Sequence, residues 1–131
     1  MKRPKITVAK TDHAKLMTMA NGLIERKPEI AEELIAELER AVVVDDRKVP
    51  AGTVQMGSSL EYSTEDGATR RVTLVYPGEA DIAEGRISIF TPVGTALLGM
   101  AVGKTIDFVA NDGREHLLTI TAVEQAPPAA A

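Results

Sequence analysis

The chain has no cysteine and no tryptophan, and two tyrosines and two phenylalanines are its only aromatic side chains besides histidine. Without cysteine there is no disulfide, no thiol nucleophile and no cysteine-bearing zinc site. With aromatic content at 3%, the core has to be assembled from Val, Ile, Leu, Ala and Met, and few rings remain on which bases could stack. Positive charge is also scarce: 15 Lys and Arg stand against 19 Asp and Glu, for a net charge of −4. Counterion release, which drives binding to nucleic acid, has little to act on, so no direct nucleic-acid contact is expected. No apolar run approaches the roughly 20 residues of a membrane span. Lys10, Asp12 and Lys15 interrupt any signal-peptide core behind the basic start Met-Lys-Arg-Pro-Lys. The chain reads as soluble, cytoplasmic and monomeric, with no membrane partner.

What is present divides by period. Residues 5 to 9 are extended in pattern, and Thr11 or Asp12 is placed to cap a helix start. Leu16, Met19, Ala20, Leu23 and Ile24 then recur at helical spacing up to a break at Arg26-Lys27-Pro28. A second helix opens at Pro28 or Glu29, and Ile30, Leu34, Leu38, Ala41 and Val42 keep one face. Joined by so short a turn, the two run antiparallel with their apolar seams together. Each helix is about 14 residues, roughly 21 Å at 1.5 Å per residue, so the arm is short. The outer face of the second helix carries Glu29, Glu32, Glu33, Glu37 and Glu39, which a solvated face of good helix formers accounts for.

Asp45 to Gly52 is a polar, turn-rich connector after which the period changes from helical to alternating. The pattern divides the chain into 1–48, an extended segment and helical hairpin; 49–124, a sheet domain; and 125–131, a loose tail. Strands are expected at Thr53 to Met56 and Ser59 to Ser63, then, across an Asp66-Gly67 hairpin, at Thr69 to Tyr76. A loop from Pro77 to Gly85 leads to a strand at Arg86 to Phe90. Within the stretch from Thr91 to Lys104, Pro92 suits a first helical turn and Gly99 a left-handed stop, with Ala96, Leu97 and Leu98 as core. Strands at Thr105 to Ala110 and Glu115 to Glu124, separated by Asn111-Asp112-Gly113, complete the sheet.

Candidate chemistry is sparse. His13 and His116 lie in different parts of the chain without paired acids at ligand spacing, so structural roles suit them better than metal binding. Gly57-Ser58-Ser59 lacks the context of a nucleophile elbow. Gly103-Lys104-Thr105 looks like the end of a phosphate-binding loop, but Gly99 is one position out of register and a strand follows. No catalytic residue, resident metal or cofactor is therefore expected. Glu25, Glu29 and Glu32 gather at the hairpin tip, where a Mg²⁺ ion held partly by another molecule could accept one or two carboxylates; Arg26 and Lys27 compete for the same acids.

The order of hairpin, connector, strands and Pro-rich loop, with Leu74-Val75-Tyr76-Pro77, Gly85-Arg86-Ile87-Ser88-Ile89, Pro92-Val93-Gly94 and Ala96-Leu97-Leu98-Gly99, resembles the Gre-type transcript cleavage factors of the GreA/GreB superfamily. Within them it is most similar to the short-hairpin Rnk branch, named for regulation of nucleoside diphosphate kinase. The resemblance implies an α+β fold: a short antiparallel helical hairpin, then an FKBP-like antiparallel sheet with one short helix. It also implies RNA polymerase as partner, docked at the rim of the secondary channel. The family's docking motif, Asp-Ser-Pro in Gre factors, falls on Phe90, Thr91 and Pro92, and Thr95 stands where an arginine is common. Because the Gre arm that brings acids to the polymerase metal is much longer, no transcript cleavage is expected here. Two other readings follow from the likeness: an FKBP-like prolyl isomerase, for which this chain has few pocket aromatics, and a direct regulator of nucleoside diphosphate kinase.

Overall fold

The computed structural model describes residues 5–109 and 112–125; the expected strand end at Ala110, the turn residue Asn111 and the tail beyond Gln125 lie outside them. Strand β1 (Thr7–Ala9) runs into helix α1 (Lys10–Leu23), which turns back as α2 (Pro28–Arg40) and ends in β2 (Val42–Val44). The sheet domain follows with β3 (Ser59–Thr64), β4 (Thr69–Val75), β5 (Arg86–Ser88), α3 (Pro92–Leu97), β6 (Thr105–Val109) and β7 (Glu115–Glu124). Among the described residues β1 and β2 form a parallel pair, and the other strands form one sheet in the order β5-β4-β3-β7-β6. It is antiparallel except for the β4–β5 pairing.

The helical hairpin follows its periodicity with three departures. The apolar face of α2 does not continue through Val42: the helix stops at Arg40, Ala41 is extended, and Val42–Val44 pairs with Thr7–Ala9. Three consecutive β-branched residues favour a strand, and a partner strand supplied from a distant part of the chain decides it. Neither Thr11 nor Asp12 caps α1, since both lie inside it; Ala9 holds the cap position without a side-chain bond. The orphan N–H of Thr11 donates instead to Asp46 Oδ1 at 3.0 Å, and the Thr11 hydroxyl donates to Asp46 Oδ2. These bonds hold the Asp46 carboxyl below its ordinary range. Glu37 is not on the solvated face. It lies beside Leu34 and Leu38 on the inward side, only 8% of its side chain exposed, in a two-pronged pair with Arg40 at 2.6 and 3.0 Å. His13 has a structural role, its Nε2 donating to the Leu38 carbonyl at 2.9 Å across the hairpin.

Expected strand Thr53 to Met56 is reduced to a bridge. Val54 donates to the Met100 carbonyl and accepts from Gly99 N–H, and Thr53 pairs singly with Ala101. The next residue, buried Gln55, reaches across to β1: its Oε1 accepts from Ala9 N–H at 3.1 Å and its Nε2 donates to the Thr7 carbonyl at 2.8 Å. Thr7 N–H donates to the Gly99 carbonyl at 3.1 Å. One continuous core results, with Ile6 and Val8, Leu16, Leu34 and Leu38 packed into the same cluster as Leu60, Leu97 and Ile120.

Helix α3 matches the sequence expectation closely. Pro92 opens it, the Thr91 hydroxyl caps it by accepting from Gly94 N–H at 3.1 Å, and Ala96, Leu97 and Leu98 are at most 1% exposed. Gly94 is required by proximity: a Cβ there would sit 2.2 Å from the Ser88 carbonyl oxygen. Gly99 is required twice over. Its φ is +76°, and a Cβ would lie 2.7 Å from that of Ile6 and 3.0 Å from the Thr7 carbonyl oxygen. Gly99→Ala is therefore expected to cost about 2–4 kcal/mol, from left-handed strain plus overpacking against β1. A urea unfolding midpoint equal to that of the parent chain would contradict this account of Gly99.

At the far end of the sheet His116 is held between two turns, Nδ1 3.1 Å from Glu65 Oε1 and Nε2 3.2 Å from Asp112 Oδ2. The bond to Asp112, then that to Glu65, raises its pKa above the ordinary 6.5. A raised folded-state pKa contributes stability that is fully present below 6.5 and is lost as pH rises through the folded value. We expect the melting temperature to fall over that window above pH 6.5, and the fall to be smaller in His116→Gln. Identical pH profiles for the two proteins would show that the clasp contributes nothing.

Candidate functional site

The handover from β5 to α3 borders an apolar pocket of about 330 Å³, walled by Ile87, Ser88, Thr91, Pro92, Val93 and Phe108 and, from the loop before β5, by Ala80, Ile82 and Arg86. β5 and β6 are opposite edges of the five-stranded sheet. Their residues can face one cavity only because the sheet curls until its edges approach, with α3 packed against β6. The Thr91 hydroxyl donates to the Ser88 carbonyl at 2.7 Å, which fixes the corner on which Pro92 projects. With few polar groups on its walls and no titratable pair inside, the pocket is suited to receiving an apolar side chain and not to acid–base chemistry.

Of the three residues expected at a docking motif, the structure places Thr91 and Pro92 on the pocket wall. Phe90 is half-buried against the core and is not part of that wall; its N–H donates to the Ser88 hydroxyl at 3.0 Å. Ile82, Arg86 and Phe108 were not among the residues expected at the docking site. An isoleucine inside Glu79-Ala80-Asp81-Ile82-Ala83-Glu84 was the available signal for the first; Phe108 is brought in only by sheet closure.

At the hairpin tip Glu25 lies in the turn and Glu29 and Glu32 in the first turns of α2, all three exposed. Among the described residues none is ion-paired, so the expected competition from Arg26 and Lys27 is not realised as salt bridges. Arg26, Lys27, Pro28, Glu29 and Ile30 line a shallow hollow there. Among the described residues no group of three or more His, Asp or Glu is arranged to hold a metal ion, and no helix is long and apolar enough to cross a membrane.

The arm meets the sheet domain again at Tyr76, the residue that follows β4. Its hydroxyl donates to Asp12 Oδ1 at 2.9 Å, and Lys15 Nζ lies 4.1 Å from the centre of its ring. Burial, together with the negative charge of Asp12, holds the phenol well above its ordinary range. Burial likewise raises Asp12, against the opposing bond from Tyr76.

Comparison with known proteins agrees with this architecture. A family model described as the C-terminal part of transcription elongation factor GreA/GreB matches residues 49–125, and one described as the Rnk N-terminus matches residues 4–44. The regulator of nucleoside diphosphate kinase from Escherichia coli (strain K12) is 32% identical over 131 residues, covering 99% of this chain and 96% of that protein. Transcription elongation factor GreA from Thermodesulfovibrio yellowstonii is 39% identical over 82 residues, covering 60% of this chain and 51% of its own. Among solved structures, a GreA/GreB elongation factor from Nitrosomonas europaea superposes with a TM-score of 0.75 at 34% identity, over 91% of this chain and 98% of that one. The hairpin, the curled sheet and the Pro92–Leu97 helix are thus those of the GreA/GreB transcription elongation factor family, to whose Rnk branch this chain belongs.

Proposed function

We propose that the protein is a non-enzymatic accessory factor of RNA polymerase that docks at the rim of the secondary channel and does not support transcript cleavage. The observation that carries this reading is the apolar pocket at the opening of α3, with Thr91 and Pro92 on its wall at the position of the family's docking motif. The hairpin supports the second half: helices of 14 and 13 residues give an arm of roughly 21 Å, too short to carry Glu25, Glu29 and Glu32 from the rim to the catalytic Mg²⁺ of the polymerase. The arm then obstructs or senses the channel without adding ligands to its metal.

A second reading, control of nucleoside diphosphate kinase, is favoured by the name of the full-length relative from Escherichia coli. Affinity capture from lysate with the tagged chain separates the two: polymerase subunits retained without the kinase favour the first, and the kinase alone favours direct regulation. A prolyl isomerase has less support, because Phe108 is the pocket's one aromatic.

Purified polymerase is expected to retain the protein, and added Gre factor to displace it. Pro92→Ala should weaken that binding while changing stability by less than about 1 kcal/mol; loss of stability with binding intact would make the Thr91–Pro92 corner part of the core only. In stalled elongation complexes the protein should leave RNA cleavage at its basal rate. Stimulated cleavage that disappears in Glu25→Ala/Glu29→Ala would overturn the second half of the proposal.

A further inference from the structure

Ile82 is 90% exposed, whereas Val109, the next most exposed large apolar residue among the described residues, is 57% exposed. It stands on the wall of the apolar pocket beside Ala80 and Arg86. Backbone hydrogen bonds close the loop that carries it. Asp81 N–H donates to the Arg86 carbonyl and Arg86 N–H to the Asp81 carbonyl, both at 2.9 Å, while Glu84 N–H and Gly85 N–H close the turn on Asp81 and Ile82 at 3.0 Å. A β-branched side chain on a braced turn loses little further freedom when it is covered, which favours binding through it.

The same segment carries Glu79, Asp81 and Glu84, all exposed, and among the described residues none of the three takes part in an ion pair or a side-chain hydrogen bond. Arg86 is the one base on the pocket wall against them. Apolar walls, a projecting isoleucine and a net negative margin together complement a partner surface of opposite sign around an apolar tip.

We propose that Ile82 is an anchoring residue for the partner, and that the surface it forms with the pocket accepts an apolar side chain flanked by lysine or arginine on a protein segment. This rests on the docking reading above and specifies the chemistry of the polymerase segment that occupies the pocket. The acids draw the segment in and the pocket and Ile82 hold it, so the two contributions separate by their dependence on salt.

The test is an equilibrium titration of the fluorescently labelled full chain with purified RNA polymerase at several salt concentrations. Ile82→Ala should bind about tenfold more weakly, with an unchanged melting temperature, as befits so exposed a side chain. Glu79→Gln/Asp81→Asn/Glu84→Gln should bind more weakly at low salt and converge on the parent at high salt, because its salt dependence is flatter. If the parent binds and both variants follow its Kd and its salt dependence, the proposal is overturned while the docking reading stands. If the parent itself does not bind polymerase, both fall together.

Discussion

The bonds that hold β1 govern the rest of the structure. A three-residue strand paired on one side cannot persist by itself, yet Val8 at its centre and Ile6 just before it are fully buried. Its second side is completed by the Gln55 amide, which accepts from Ala9 N–H and donates to the Thr7 carbonyl as a neighbouring strand would, and by the Gly99 carbonyl, which takes Thr7 N–H. Losing the amide would leave a buried N–H and C=O without partners, at about 1–3 kcal/mol for each group. The close approach of β1 is possible only because residue 99 has no Cβ. The helical arm and the sheet domain are in this way joined through one strand, and α3, which ends at that glycine, is fixed to both.

Elements whose cause is local were legible in the sequence. The apolar periods of α1 and α2, the Asp66-Gly67 hairpin, the Pro92 opening and Gly99 stop of α3, and the full extent of β7 all follow from neighbouring residues. What escaped depended on partners far along the chain. Val42 continued the helical period of Leu34 and Leu38, and only β1, some 35 residues earlier in the register of Thr7 with Val42, turns it into a strand. The cap of α1 comes from Asp46, 35 positions from Thr11. Glu37 satisfied the composition of a solvated face, but at three residues from Leu34 it lies on the inward side, where its pairing with Arg40 offsets part of the cost of burial.

The candidate site divides in the same way. Thr91 and Pro92 were singled out only through the likeness to the Gre docking motif, although the first-turn place of Pro92 is legible locally, and both stand on the pocket wall. Phe90, adjacent in sequence, turns to the core, since the residue before a helix cap still belongs to the corner that leaves β5. The remaining walls come from the loop at Ala80 and Ile82 and from Phe108. No local pattern associates those positions; closure of the sheet does, by bringing its first and last strands to one helix.

Tyr76 gives the pocket a mechanical relation to the arm. It follows the last residue of β4 and precedes the turns that carry Ala80 and Ile82, and its side chain is fastened to Asp12 and covered by Lys15 on α1. The Leu-Val-Tyr-Pro stretch is consequently a structural joint. With the shared core and the Gln55 clasp on one side and Tyr76 on the other, α1 is attached to the sheet domain at two separated places. Two attachments resist rotation where one would allow a hinge. An arm fastened in this way keeps a fixed direction relative to the sheet domain without needing contacts of its own at the tip.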